Sequence, residues 1–130
     1  MLKNKRLRIA RPSTNLEEAK RFYCEGLGME VLGGFESHNG FDGVMLGHPG
    51  QPYHLEFTVD KKEPVKPSPT AEDLLVFYIP DQAEWESVTK HLENAGWESS
   101  EPHNPYWGRQ GKTFVDFDGY RVVLQNSDWG

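Results

Sequence analysis

Two short stretches carry the side chains best suited to chemistry. In Tyr53-His54-Leu55-Glu56-Phe57 a histidine and a carboxylate stand two residues apart. Side chains of a strand repeat every second residue, so both point to one side while Tyr53, Leu55 and Phe57 point to the other. Such a pair can form part of a mononuclear metal site if a third ligand arrives from a loop, and His38, His48 and His103 are the loop histidines available. The plainer expectation is a polar strand face lining a wet groove. The second stretch, His103-Asn104-Pro105-Tyr106-Trp107-Gly108-Arg109, puts two large aromatic rings beside an arginine. It can stack on a flat or cationic ligand and offer hydrogen bonds at its rim. Equally, Trp107 can plug the end of a sheet, with Gly108 permitting the turn after it.

Other chemistry is poorly supported. Cys24 is the single cysteine, so neither an internal disulfide nor a cysteine zinc cluster can form, and beside Phe22 and Tyr23 it reads as a packed thiol. No Ser-His-Asp or Cys-His arrangement and no phosphate-cradling glycine loop is present, and His91 falls on the outer face of a helix.

The chain's bulk properties bound the setting. A length of 130 residues suits one domain with a real core, and 12% aromatic residues supply buried area that offsets chain entropy. No apolar run approaches the roughly 20 residues a bilayer demands, and the basic start Met1-Leu2-Lys3-Asn4-Lys5-Arg6 leads into no apolar signal core, so a cytoplasmic location is expected. Lys3, Lys5, Arg6, Arg8 and Arg11 all precede residue 12, which leaves the remainder acidic within a net charge of −6. That distribution disfavours nucleic acid as a partner.

The elements that must position these residues come in two similar sets. Leu7–Pro12 reads as a strand, Asn15-Leu16-Glu17-Glu18 as a capped helix start, and Leu16, Ala19, Phe22 and Tyr23 as one helical face. Gly26 and Gly28 end the helix. Strands follow at about 29–36, 41–46 and 53–59, the first two joined at Asn39-Gly40, where both turn residues need positive φ. Glycines at 26, 28, 33, 34, 43 and 47 are expected at turns and bulges for the same conformational reason. Three prolines between Lys61 and Pro69 mark an extended linker. The plan then repeats: a strand from Leu74 to Ile79, a helix capped at Asp81 with Trp85, Val88, Leu92 and Ala95 as its stripe, and strands near 97–100, 112–117 and 120–125. The expected architecture is α+β: one domain of two tandem βαβββ modules, about 5–60 and 71–126 with linker 61–70. Its curved mixed sheet surrounds a cleft and carries helices on the outer face.

That plan, with Asn15-Leu16-Glu17-Glu18-Ala19-Lys20-Arg21-Phe22-Tyr23 running on through Gly26-Leu27-Gly28-Met29-Glu30-Val31, resembles the vicinal oxygen chelate superfamily of glyoxalase, bleomycin-resistance and extradiol-dioxygenase proteins. Pro105-Tyr106-Trp107-Gly108-Arg109 with Asp116-Phe117-Asp118-Gly119 is similar to the ending common in the antibiotic-resistance branch, with Phe117 in place of the usual proline. The resemblance implies a cleft that, in metal-dependent members, holds a divalent ion on His, Gln or Glu from the first and last strand of each module. Carried onto this chain, those positions are Arg8, Glu56, Leu74 and Val123, and only Glu56 offers a lone pair to a metal. An Arg8–Glu56 ion pair in place of the metal is the expectation.

The function this implies is metal-independent binding of a small molecule, without cofactor, in a cleft lined by Arg8, His54, Glu56, Trp107 and Arg109, with Leu74, Val76 and Val123 as its apolar floor. The alternatives are a divalent-metal-dependent lyase, thiol transferase or dioxygenase using His54 and Glu56, and a non-catalytic interaction domain. A homodimer is implied by the resemblance alone.

Overall fold

A computed structural model describes residues 1–129. The chain forms two compact units, Met1–Pro67 and Ser68–Gly130. Each holds a four-stranded mixed sheet that is open rather than closed into a barrel.

In the first unit β1 (Leu7–Pro12) leads into α1 (Leu16–Lys20), which runs on as a π-helical segment, Arg21–Gly26. Then come β2 (Glu30–His38), β3 (Phe41–Gly47) and β4 (Tyr53–Asp60). The strand order is β1-β4-β3-β2, with β1 parallel to β4 and the other pairs antiparallel. Helix α1 starts where the Asn15 side chain accepts from the Glu18 N–H at 3.2 Å, satisfying one of the free donors of the first turn. A π turn holds more residues than an α turn, and here two consecutive rings, Phe22 and Tyr23, are both fully buried and meet edge to face at 4.8 Å. The helix packs on β3 and β4. Tyr23 lies 5.0 Å from Phe57, ring to ring, and Val44, Leu46 and Leu55 complete this core.

The β2–β3 hairpin turns on Asn39 (φ 51°) and Gly40 (φ 86°), as the Asn-Gly pair requires. Behind the turn, the Asp42 carboxylate accepts from the Ser37 N–H at 2.8 Å and pairs with Lys61 at 3.3 Å, while Lys61 donates to the Ser37 hydroxyl at 2.6 Å. The Ser37 N–H, with smaller help from Lys61, holds the Asp42 carboxyl below the ordinary carboxylate range.

The second unit runs β5 (Leu74–Tyr78), α2 (Gln82–Asn94), β6 (Ser99–Ser100), α3 (Tyr106–Arg109), β7 (Gly111–Val115) and β8 (Arg121–Gln125). Its order, β5-β8-β7-β6 with β5 parallel to β8, repeats the plan of the first. Asp81 caps α2 by accepting from the Glu84 N–H at 2.8 Å. Thr89 and Leu92 are the helix's buried residues, whereas Ala95, expected in the apolar stripe, is its exposed C-cap. Trp85 donates from Nε1 to the Leu124 carbonyl at 2.8 Å, and Lys112 pairs with Glu93 at 3.2 Å. The Lys112, Phe114, Val122 and Leu124 side of the sheet therefore faces α2. Asp116 fixes the β7–β8 turn, its buried Oδ1 accepting from the Asp118 and Tyr120 N–H groups at 2.9 Å each.

The structure departs from expectation in three places. The segment 103–109 includes the one-turn helix α3, whose backbone bonds Trp107 N–H to Asn104 O and Gly108 N–H to Pro105 O are short-range and need no apolar periodicity. Strand β6 keeps only two residues. Among the named glycines only Gly28 has positive φ; Gly33, Gly34, Gly43 and Gly47 lie in extended strands. What they supply is closeness. A Cβ on Gly34 would stand 2.9 Å from the Gly43 carbonyl oxygen, and one on Gly43 would enter the Phe35 ring.

Two outcomes follow from this packing. A Cβ at Gly111 would collide with Gln125 Oε1 and stand 2.7 Å from the Trp107 carbonyl oxygen, so Gly111→Ala must push α3 off β7. A loss of about 1–3 kcal/mol in urea unfolding is expected, against little change for Gly33→Ala, whose nearest neighbour would be the Met45 methyl at 3.5 Å. For Asp42, a folded pKa below the unfolded one means stability present above the unfolded carboxylate value and lost as pH falls through the folded value. Asp42→Asn should thus lower the melting temperature at pH 7, and the gap to the parent should close as pH falls through the lowered folded value.

Candidate functional site

The parallel pairing of β1 with β4 sets Arg8 opposite His54 and Ala10 opposite Glu56. Partners in adjacent strands share a face, so Arg8, His54 and Glu56 stand together on the side of the first sheet away from Leu55, Phe57 and α1. Arg8 donates from Nε to His54 Nε2 at 2.9 Å and from Nη1 to Glu56 Oε2 at 3.2 Å. In this bond the His54 Nε2 serves as the acceptor. The Arg8 side chain is 48% exposed and that of Glu56 13%, so the cation sits at the rim with the carboxylate beneath it. Two of the five guanidinium donors are spent in these bonds.

Register carries the same face across the sheet. Gly47 lies opposite His54, Met45 opposite Glu56, Gly43 opposite Thr58, then Gly33 opposite Met45 and Phe35 opposite Gly43. Three glycines on one face lower its floor. Leu32 leans in beside Gly47, the Met45 methyl lies by Gly33, and the Phe35 ring covers Gly43. The result is a shallow trough with an apolar far side and the Arg8–His54–Glu56 network along its near side. Met45, Phe35 and Leu32 were missed by reading the sequence; the bulges between Val31 and Gly33 and between Phe35 and His38 decide the facing of Leu32 and Phe35, while Met45 follows the regular alternation of β3.

In the second unit, register places Leu74 opposite Arg121 and Val76 opposite Val123. Leu74 and Arg121 thus occupy the places Arg8 and His54 hold in the first, and Val123 that of Glu56. Leu74 and Val76 are half-buried, and Val123 is fully buried. On the same face stand Thr113, opposite Val123, and Gln125, opposite Gly111. Both are buried, at 1% and 2% exposure, and neither Thr113 Oγ1 nor Gln125 Oε1 meets a hydrogen-bond donor. A buried acceptor left without a partner costs about 1–3 kcal/mol, and sequence alone gives no sign of it. Trp107 and Arg109 lie on α3: Trp107 is half-buried with its ring edge-on to Tyr106 at 5.0 Å, and the exposed Arg109 guanidinium lies 5.9 Å over the Tyr106 ring. Arg109 also borders a pocket of ≈ 380 Å³ with Glu101, Pro102, Pro105 and Gly108.

Two of the loop histidines meet other partners. His38, at the β2–β3 hairpin, lies 6.1 Å from the Phe35 ring, and His48 stands 3.8 Å from Glu30. Among the described residues no three His, Cys, Asp or Glu side chains are grouped to hold a metal ion. The donor chemistry does not fit one either. In the first unit a permanent cation takes up the His54 Nε2 lone pair and one Glu56 oxygen; in the second, Leu74 and Val123 have no lone pairs. A wider groove of ≈ 770 Å³ opens on the other side of the first sheet, between α1 and β2–β3, where Lys20 pairs with Glu17 at 2.6 Å and Lys61 with Asp42 at 3.3 Å.

Comparison with known proteins gives a consistent picture. Residues 7–58 match the YycE-like N-terminal domain and residues 72–126 the YycE-like C-terminal domain. The uncharacterized protein YycE of Bacillus subtilis is 46% identical over 121 residues, covering 93% of this chain and 87% of the relative. The crystal structure of a YycE protein of unknown function from Bacillus subtilis superposes with a TM-score of 0.91 at 44% identity, covering 98% of this chain and 93% of that one. TnmS3, an antibiotic binding protein from Streptomyces sp. CB03234, aligns at TM-score 0.65 and 25% identity over 93% of each chain. The glyoxalase I of Leishmania major shares the fold at TM-score 0.73 and 20% identity, covering 95% of this chain and 86% of that one. No described helix is long and apolar enough to cross a membrane.

The Arg8–Glu56 pair is directly measurable. A double-mutant cycle with Arg8→Met and Glu56→Gln should return a coupling of about 0.5–1 kcal/mol at low salt, the upper part of the range for pairs at a surface. The coupling should shrink in 1 M salt, where charges at a rim are screened.

Proposed function

We propose a function from the premise that this chain belongs to the YycE-like family, within the vicinal oxygen chelate superfamily: it is a metal-independent small-molecule binding protein of the glyoxalase and bleomycin-resistance type. The observation that carries the reading is the Arg8 bond pair, 2.9 Å to His54 and 3.2 Å to Glu56. A guanidinium stands where the superfamily's metal-dependent members keep a metal ligand. It brings positive charge and directional donors to that spot without offering a lone pair or an exchangeable coordination position.

The candidate contact residues lie on the helix-free face of each module, each taken by itself. In the first, Arg8, His54 and Glu56 supply polar contacts, and Met45, Phe35 and Leu32 an apolar wall. In the second, Leu74, Val76 and Val123 supply apolar surface, and Trp107 with Arg109 an aromatic and cationic rim. The antibiotic-binding relative supports a drug-sized organic ligand. Its natural counterpart here has oxygen atoms for the outward donors of Arg8 and a flat apolar body for the trough. The protein acts as a cytoplasmic homodimer, with no nucleic acid or membrane partner, in keeping with its net charge of −6.

Two measurements test this. Plasma mass spectrometry on untagged protein, purified without chelators, should find less than one-tenth of a Mn, Fe, Ni or Zn ion per chain, and adding these ions should leave the melting temperature unmoved. A stoichiometric metal that disappears in Glu56→Gln would end the metal-independent reading. A thermal-shift screen of antibiotics and planar metabolites should then yield ligands whose affinity falls about tenfold in Arg8→Met, the scale of one lost charged hydrogen bond.

A further inference from the structure

The cations that crowd the start of the chain are only partly used by the site described above. Arg8 pairs with Glu56, whereas Lys3, Lys5 and Arg6 meet no acidic side chain among the described residues. Two of these three come together in a concave place. A pocket of ≈ 480 Å³ at the start of β1 is lined by Asn4, Lys5, Arg6, Gly50, Gln51 and Pro52. Its walls are two turns fixed by backbone bonds: Lys5 N–H donates to Leu2 O at 3.1 Å, and Gln51 N–H to His48 O at 3.2 Å. Asn4 and Gly50 hold φ at 61° and 84°, the left-handed values that bend each turn. Leu7 N–H donates to Pro52 O at 2.7 Å and ties the two turns together. The lining thus brings two cations and two side-chain amides to one pocket, with no carboxylate. None of these four side chains has a hydrogen-bond or ionic partner among the described residues. Adjacent like charges repel, and a chain with a net charge of −6 places none of its carboxylates here to relieve them.

We propose that this pocket binds a phosphate dianion carried on a small molecule. Two neighbouring cations match two negative charges, whereas a singly charged group would leave one of them unmatched. The Arg6 guanidinium offers a planar fork to two phosphate oxygens, and Lys5 a point charge on a long stem. Asn4 and Gln51 add neutral N–H donors beside them. Every lining residue is exposed, so water stays in the pocket and the attraction weakens as salt rises. This is a second site, beyond the proposed function. It shares no residue with the Arg8–His54–Glu56 network, so either reading can fail alone.

The test is a ¹H–¹⁵N NMR titration of the full chain with phenyl phosphate. Benzenesulfonate, of similar shape with one charge fewer, is the control at matched ionic strength. Phenyl phosphate should move the amide signals of Asn4, Lys5, Arg6, Gly50 and Gln51 to saturation, and benzenesulfonate should bind there several-fold more weakly. Lys5→Gln and Arg6→Gln should each weaken phenyl phosphate about three- to fivefold, the upper part of the range for a charge pair at a surface. Both side chains are exposed and unpaired, so both variants should unfold as the parent does. Lys90→Gln, which removes an exposed cation of α2, should leave the affinity unchanged. Equal binding of the two anions would overturn the site, as would a loss in Lys90→Gln matching that in Lys5→Gln. Sedimentation of the chain with phosphatidylserine vesicles through Lys5 and Arg6, without any response to phenyl phosphate, would assign the cations to a lipid surface and overturn it too. Signals confined to Arg8, His54 and Met45 would remove this site and leave the proposed function standing.

Discussion

In each module the first strand pairs in parallel with the last. Parallel neighbours cannot be joined by a tight turn and need a crossover that leaves the sheet and returns. Here the crossover is the helix followed by two antiparallel strands, which gives the orders β1-β4-β3-β2 and β5-β8-β7-β6. The helix must cover one face, and in the first unit Phe22 and Tyr23 close over Leu46, Leu55 and Phe57 there. A one-residue slip of β1 against β4 would keep Leu55 and Phe57 in the core while carrying Arg8 to the wrong side. The buried rings thus fix the register, and the register puts a guanidinium beside an imidazole and a carboxylate. Removing a core ring would act on the polar face without touching it.

The two modules use one frame for opposite chemistry. Equivalent positions read Arg8, His54 and Glu56 in the first, and Leu74, Arg121 and Val123 in the second. The first spends its frame on a charge network at a half-exposed rim, where water lowers the cost of keeping ions. The second buries its face: Val123, Thr113 and Gln125 are all at 2% exposure or less. A charge there would be costly, whereas neutral oxygens are tolerable. The edge strands differ too, nine residues in β2 against two in β6. A ladder as short as β6 leaves the path from Ser100 to Gly111 free to form α3 instead of continued pairing.

Much of the fold was legible because alternation, caps and turn pairs are local. Asn15, Asp81 and Asn39-Gly40 do what their types require wherever they occur. The Arg8–Glu56 contact was legible as well, since it needs only the parity of two strands and their adjacency. What escaped reading depends on contacts across the sheet. Gly33, Gly43 and Gly47 read as turn residues until their neighbours are known; only then do they appear as missing side chains under Met45, Phe35 and Leu32. Phe35 lies between two bulges, so a count from either end of β2 crosses one and has its parity reversed. Thr113 and Gln125 look like ordinary strand residues, because an unmet acceptor is a property of surroundings and not of composition.

Under the proposed function, an arginine in place of a metal ligand changes what the site is able to do and not only what it holds. A divalent ion attracts an oxygen ligand, but it also accepts a lone pair and lets that partner exchange, which is how it lowers the barrier to deprotonation or attack. The Arg8 guanidinium attracts and orients oxygen through fixed N–H directions, yet it neither accepts a lone pair nor gives up its proton near neutral pH. Glu56 lies beneath it and His54 is held by its Nε2, so the geometry of the network is set before any ligand arrives. Preset geometry favours binding, since less freedom is lost on association. It does not favour chemistry that needs a group to change its charge or its coordination during the reaction. Under the proposed function these residues serve recognition, because a preset network of this kind orients a ligand through fixed donors.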